Sequence, residues 1–256
     1  MNPAPPAHRP FRGGIPWWGW PLIITRLLAM LAALVLGVIF YYTLAPFIRP
    51  NPVPPRFLAS TGAIAGLRVQ VRGTPCPGRA FFLANHVSWL DILAIAGTTG
   101  SAFVAHDGLA GIGPLRWLCD MNGTVFVARH DRRSIAEQVE AVRRSMDDDR
   151  ALTIFPEGTT SDGTGTLPFK SSLLSALTNY RDVPIQPIRL DYGKDTQEIA
   201  WAGEESGLKN AFRILARLRP VRLTVHFLAP LSGDALADRK RMAAAARAAI
   251  DITAPR

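Results

Sequence analysis

The chain has 256 residues, of which 48% are hydrophobic and 19% charged. That suffices for one sizeable domain with an appendage and excludes a disordered chain, while two full domains would be cramped. Net charge is +9, but no acid accompanies the eight arginines that precede Leu90, whereas from Asp91 onward 21 basic residues meet 20 acidic ones. The excess therefore belongs to the N-terminal third, beside the strongest apolar run. That placement suits an anionic membrane surface, whereas a nucleic-acid protein more often carries its charge on the folded domain.

Residues 1–21, rich in Pro and Gly and carrying Trp17, Trp18 and Trp20, read as a flexible leader that ends at a membrane interface. Residues 22–48 read as a membrane anchor. No charge occurs between Leu27 and Ile48, and the helical part up to Ala45 has about 19 residues, about 28 Å of helix, close to a bilayer's hydrocarbon thickness. The run is too long for the apolar region of a cleaved signal peptide, and no small-x-small cleavage site follows it. Arginines flank both ends, so charge does not set its orientation, nor does length separate a spanning helix from one lying in a single leaflet.

A Pro-rich linker, 49–56, leads into a domain covering 57–256. There the pattern changes to short β-rich runs separated by Gly, Pro and helical stretches. Strands are expected at Leu67–Arg72, Ala80–Ala84, Ala102–Ala105, Thr124–Ala128, Leu152–Phe155, Ile185–Arg189 and Val221–Leu228. Helices are expected at Trp89–Ala96, Leu115–Met121, Ser134–Met146, Ser171–Thr178, Leu208–Leu218 and Asp234–Ile250. Such alternation implies an α/β fold with a mixed, mostly parallel sheet flanked by helices. The acidic run Asp147–Asp149 reads as a solvated helix end. Cys76 and Cys119 lack any spacing that suggests zinc and read as structural.

Two segments carry chemistry. In Asn85-His86-Val-Ser88-Trp-Leu-Asp91 an apolar strand runs straight into Asn-His, and the first carboxylate of the chain follows five positions later. On one continuous helix those side chains would stand about 140° apart, so they meet only if His86 lies on a loop and Asp91 in the first turn of the next helix. There the carboxylate can fix the imidazole tautomer and leave the other nitrogen as a base; a locally satisfied loop His beside a helix-start Asp is the plainer alternative. In Phe155-Pro156-Glu157-Gly158-Thr159-Thr160-Ser161 a strand breaks at Pro into a turn crowded with hydroxyls. Strand ends of this kind collect ligands in α/β sheets, although an ordinary turn with a capping Ser or Thr has the same composition.

Together with Gly123-Thr-Val-Phe-Val-Ala-Arg129 and Val183-Pro-Ile-Gln-Pro187, these segments stand in an order that resembles the glycerolipid acyltransferase family typified by 1-acylglycerol-3-phosphate acyltransferase. The resemblance covers roughly residues 55–230 and includes the branch that acylates lyso-ornithine lipid. It implies that His86 is a general base, oriented by Asp91, which takes the proton of a lysolipid hydroxyl as the oxygen attacks an acyl thioester. It further implies that Arg129, Glu157 and Gly158 hold the acceptor, with Asn85, Gly123, Phe155, Pro156, Thr159, Thr160 and Lys170 lining the substrate site.

The resemblance implies 1-acylglycerol-3-phosphate or lyso-ornithine lipid as acceptor; phosphate-acceptor members usually continue the third block with Arg, where this chain has Thr160, which points toward the less anionic of the two. A neutral hydroxyl holds phosphate less strongly than a guanidinium does. Lys170 is a candidate replacement for the missing charge. His8, His130 and His226 read as non-catalytic, and His106 occupies a position where the family often has Lys.

The resemblance implies acyl-CoA or acyl carrier protein as donor substrate, membrane lipids as surroundings, no metal or bound cofactor and no nucleic acid. It places the domain on the cytoplasmic side of the inner membrane. Two other classes compete. A serine hydrolase would use Ser88 or Ser161 with His86 and Asp91, but no Gly-x-Ser-x-Gly elbow is present. A non-catalytic lipid-binding protein would have no reason to keep His, Asp, Glu and Arg together.

Overall fold

The computed structural model describes residues 14–106, 111, 113–127, 150–180, 182–203 and 205–252. The expected helix Ser134–Met146, the acidic run Asp147–Asp149, Arg129 and His130 lie outside the described residues.

Two helices lead the chain, α1 (Gly19–Leu44) and α2 (Val53–Ile64). α1 starts earlier than the uncharged run alone suggests, so Trp20 belongs to the helix itself. With 26 residues and one 18-residue window only 6% buried, it is long and apolar enough to cross a membrane. α2 differs from expectation, because the segment read as a stiff linker enters a helix at Val53. Pro54 and Pro55 stand in its first turn, where the backbone has no intrahelical acceptor to lose.

The expected strands are present within two residues at each end: β1 (Leu67–Arg72), β2 (Phe81–Ala84), β3 (Ala102–His106), β4 (Val125–Val127), β5 (Leu152–Ile154), β6 (Ile185–Asp191) and β7 (Val221–Phe227). Among the described residues they form one sheet in the order β1-β7-β6-β2-β5-β3-β4. Every neighbouring pair is parallel except β6 with β7. The remaining helices are α3 (Leu90–Thr99), α4 (Gly113–Met121), the single turn α5 (Thr196–Ile199), α6 (Gly207–Leu215) and α7 (Arg239–Ile252). The expected helix at 171–178 is a 3-10 helix, Ser171–Asn179, and another 3-10 turn, Gly233–Leu236, splits off the start of the expected C-terminal helix.

The sheet separates two cores. On one face Phe82, Ala84, Ile188, Leu190, Val221, Leu223 and Val225 pack with α2, α3 and α6, and α1 lies outside α2. On the other face Phe81, Leu83, Leu152, Ile154 and Ile185 pack with the 3-10 helix Ser171–Asn179 and α7.

Both ends of α1 are docked on the domain. At its start, Gly19 abuts Ala216, the Trp20 ring lies 6.2 Å from Phe212, and Arg26 donates to the carbonyls of Leu215 and Arg217. At its end, Trp117 of α4 donates to the Tyr42 hydroxyl at 3.0 Å. Between these contacts Leu28, Leu31, Val35, Leu36 and Ile39 are exposed. An apolar stripe of this length on a folded protein calls for a lipid or protein cover.

Candidate active site

β2 delivers the chain to the site. Phe81 to Ala84 are fully buried in the sheet, and Asn85 then clamps the strand end to β6: its Oδ1 accepts from the Leu190 N–H at 2.7 Å and its Nδ2 donates to the Leu190 carbonyl at 3.0 Å. Residues 85–89 form a loop, and α3 begins at Leu90, so Asp91 falls in its first turn. This is the one arrangement in which the five-residue spacing lets His86 and Asp91 meet. Nδ1 of His86 lies 2.9 Å from Oδ2 of Asp91.

Asp91 is wholly buried and organises the loop as well as the imidazole. Its Oδ2 also accepts from the backbone N–H groups of Val87, at 2.6 Å, and Ser88, at 2.9 Å, two buried donors of the loop that leads into the helix. Its Oδ1 accepts from the Tyr192 hydroxyl at 2.5 Å. Burial, then the charge of Asp91 and the bond to it, raise the pKa of Tyr192 well above its usual value, so its hydroxyl remains a donor. With the carboxylate as acceptor, Nδ1 carries the imidazole proton and Nε2 keeps the lone pair.

The imidazole is 16% exposed and lies on Phe155, ring centroids 4.0 Å apart and planes 16° from parallel, with Phe103 stacked beyond at 6.1 Å. Phe155, expected to line the substrate site, thus walls one face of the base. Pro156 is buried, and its carbonyl accepts from the Lys170 N–H.

Glu157, expected to hold the acceptor, is almost wholly buried and grips backbone. Its Oε1 accepts from the His86 N–H at 2.8 Å and its Oε2 from the Leu167 N–H at 2.9 Å. Burial raises its pKa to about 7, against the lowering effect of those two bonds and of nearby His86. Ser161 holds the other side of the same peptide: its N–H donates to the His86 carbonyl at 2.7 Å and its hydroxyl at 3.1 Å.

Gly158, at φ +70°, leaves room for the exposed Lys170, whose ammonium would lie 2.9 Å from any Cβ placed there. The candidate replacement cation therefore lies against the Glu-Gly turn. Thr159 is exposed, whereas the Thr160 hydroxyl is committed to the Trp201 carbonyl.

Gly123 is not brought to the site. Its neighbours are Arg150 and Ala102, at the N-terminal ends of β5 and β3, whereas His86 follows the C-terminal end of the parallel strand β2. With φ +68° it makes the turn that ends α4 and starts β4, which accounts for Gly there. Ser88 is wholly buried, and its hydroxyl only accepts from the Leu90 N–H, at 3.4 Å. No substrate can reach it as a nucleophile. Among the described residues no group of three or more His, Cys, Asp or Glu is placed to hold a metal ion.

Sequence reasoning missed Tyr192, Phe103 and Trp201. Nothing in the local pattern marks them, because each comes from a segment distant in sequence: Trp201, just after α5, donates its backbone N–H to the Val87 carbonyl, and Phe103 of β3 stacks on Phe155.

Comparison with known proteins places the chain in a family. A family model described as Acyltransferase matches residues 68–191. A lyso-ornithine lipid O-acyltransferase of Rhodobacter capsulatus is 34% identical over 195 residues, covering 73% of this chain and 70% of that protein. A 1-acyl-sn-glycerol-3-phosphate acyltransferase of Neisseria gonorrhoeae is 30% identical over 175 residues, covering 65% of this chain and 68% of that protein. The crystal structure of the 1-acyl-sn-glycerophosphate acyltransferase of Thermotoga maritima aligns with a TM-score of 0.59 over 92% of this chain and 99% of that one, and at 20% identity it speaks for the fold. A buried carboxylate steering an imidazole, on this sheet and in a chain with these relatives, identifies the protein as a member of the acyltransferase family.

Proposed function

We propose that the protein moves a fatty acyl group from a thioester to the hydroxyl of a lysolipid, with His86 as general base and Asp91 and Tyr192 positioning it. The observation that carries this reading is the 2.9 Å bond between His86 Nδ1 and Asp91, which directs the lone pair of Nε2 away from the carboxylate. As the lysolipid oxygen bonds to the thioester carbon, its proton passes to Nε2. The carbon–sulfur bond then breaks, and the departing thiolate takes the proton from the imidazolium. No acyl-enzyme is required, in keeping with the inaccessible Ser88.

Among acceptors, the reading favours a lyso-ornithine-type headgroup over 1-acylglycerol-3-phosphate. Thr160 stands where phosphate-acceptor relatives usually carry Arg, its hydroxyl is already committed to Trp201, and Lys170 supplies one cation at the turn. The 34% identical relative is named for that acceptor. The exposed stripe of α1 meets lipid, and its two docked ends fix the site's position relative to the bilayer. The donor is acyl-CoA or acyl carrier protein, which places the domain on the cytoplasmic side.

Three predictions test this account. His86→Ala lowers the rate of thiol release from acyl donor by about 10²–10⁴-fold, Ser88→Ala leaves it near wild type, and Tyr192→Phe lowers kcat by about tenfold and also lowers the melting temperature, because it leaves a buried carboxylate oxygen unpaired. A Ser88→Ala variant as inactive as His86→Ala would overturn the base mechanism. Offered lyso-ornithine lipid and lysophosphatidic acid side by side, the purified protein acylates the first faster; activity on the second alone would contradict the role given to Thr160.

The third prediction concerns pH. Because the folded pKa of Glu157 is raised from about 4.5 to about 7, the folded state keeps a proton that the unfolded chain releases. The resulting stability is complete below pH 4.5 and fades as pH rises to 7. Denaturant titrations across that window should show wild type losing on the order of 3 kcal/mol more than Glu157→Gln. Parallel stability curves for the two proteins would refute it.

A further inference from the structure

The edge of the sheet away from β4 carries a basic surface that the catalytic site does not use. Register sets Arg68 of β1 beside Arg222 of β7 and, two rows along past the pair Gln70–Thr224, sets Arg72 beside His226, which in turn pairs with Arg189 of β6. These side chains alternate with the core residues of the same strands, so they share the face opposite α2 and α3. Arg68, Arg72 and Arg222 are exposed and have no salt bridge among the described residues. The one carboxylate carried by these three strands, Asp191, lies 3.9 Å from Arg189 and also accepts from the Gly193 N–H. Burial, reinforced by Arg72 and Arg189 and opposed by Asp191, lowers the pKa of His226, so the guanidinium groups carry the charge.

Like charges directly opposed across strands destabilise a sheet, so this arrangement works against the fold unless an anion covers it. The arginines span four residues along the strand and three strands across, about 13 Å by 10 Å. α1, with its exposed apolar stripe, lies on the opposite side of the sheet, so this face points away from the lipid. No aromatic ring or apolar wall among these residues would seat a nucleotide base. The spread of arginines instead suits the carboxylates of an acidic helix.

A cavity of about 480 Å³ links the face to the catalytic loop. It is lined by Arg189 and Asp191 from the basic face, by Tyr192 and Lys194, and by Asn85 and Val87 of the loop, while the His86 side chain between these two is not part of the lining. We propose that the exposed β1–β7 part of this face, beside the half-buried Arg189 that bonds the Ile250 carbonyl of α7, docks the acidic protein that carries the acyl chain as a thioester, and that the cavity gives its pantetheine arm an approach to the loop that holds His86. The proposal rests on the acyl-transfer reading and adds that donor and acceptor arrive from opposite sides of the sheet.

The test is charge reversal on the membrane-reconstituted full chain. Arg68→Glu with Arg222→Glu should weaken binding of a purified bacterial acyl carrier protein, titrated without turnover, by about tenfold or more, with wild-type binding falling as salt rises. KM for the acyl-carrier donor should rise by a similar factor, while transfer from acyl-pantetheine, which has no protein attached, stays unchanged. Lys240→Glu with Arg241→Glu, at the start of α7, should leave all three readouts at wild type, and the milder Arg68→Ser with Arg222→Ser should fall between if the reversed pair folds poorly.

Unchanged carrier binding in the reversed variant would overturn the proposal. So would an effect confined to acyl-CoA, which would make the face a nucleotide site, or a loss of binding to anionic vesicles, which would make it a lipid surface. If wild type transferred acyl groups from no donor, the acyl-transfer reading would fall, and the carrier titration would still decide the docking face.

Discussion

The site depends on one buried carboxylate that cannot leave. Asp91 is held from four directions, by the imidazole of His86, by two backbone N–H groups of the loop before its helix and by the Tyr192 hydroxyl. Burying a lone carboxylate costs several kcal/mol, so these four donors do more than support the base; they keep the charge in place. The imidazole gains a fixed tautomer and a fixed tilt, and Phe155 closes one of its faces. In the role proposed for it, an imidazole held this way would need no conformational search before taking a proton.

The blocks that look like ligand contacts in the sequence prove, in large part, to be a frame around this pair. Glu157 and Ser161 grip the His86 peptide from its N–H and its carbonyl, Asn85 ties the strand end to β6, and Trp201 holds the Val87 carbonyl. Polar side chains that satisfy backbone in a buried loop rigidify it, because each unmade bond would leave a desolvated donor or acceptor. Gly158 and Lys170 remain as the part of the third block that faces outward.

The strands are legible as short apolar or alternating runs with a Gly or Pro nearby, and helix periodicity states the condition for His86 to meet Asp91, a loop His before a helix-start Asp, which the structure meets. Other features were hidden for definite reasons. α2 begins among prolines, and proline stiffness reads alike in a linker and in a first helical turn. Ser171–Asn179 has the apolar spacing of a helix, which does not distinguish 3-10 from α. Gly123 matched a motif, but its place at the far end of the sheet depends on strand direction, which spacing does not encode. Tyr192 comes 101 positions after Asp91, and only the pairing of β2 with β6 brings them together.

The central claim is that Asp91 sets the proton of His86 on Nδ1. Nitrogen-15 NMR of the imidazole at neutral pH tests it most directly. The account predicts the Nδ1–H tautomer in the native protein and its loss in Asp91→Asn. A native spectrum dominated by the Nε2–H form, which leaves no lone pair for the lysolipid hydroxyl, would contradict it.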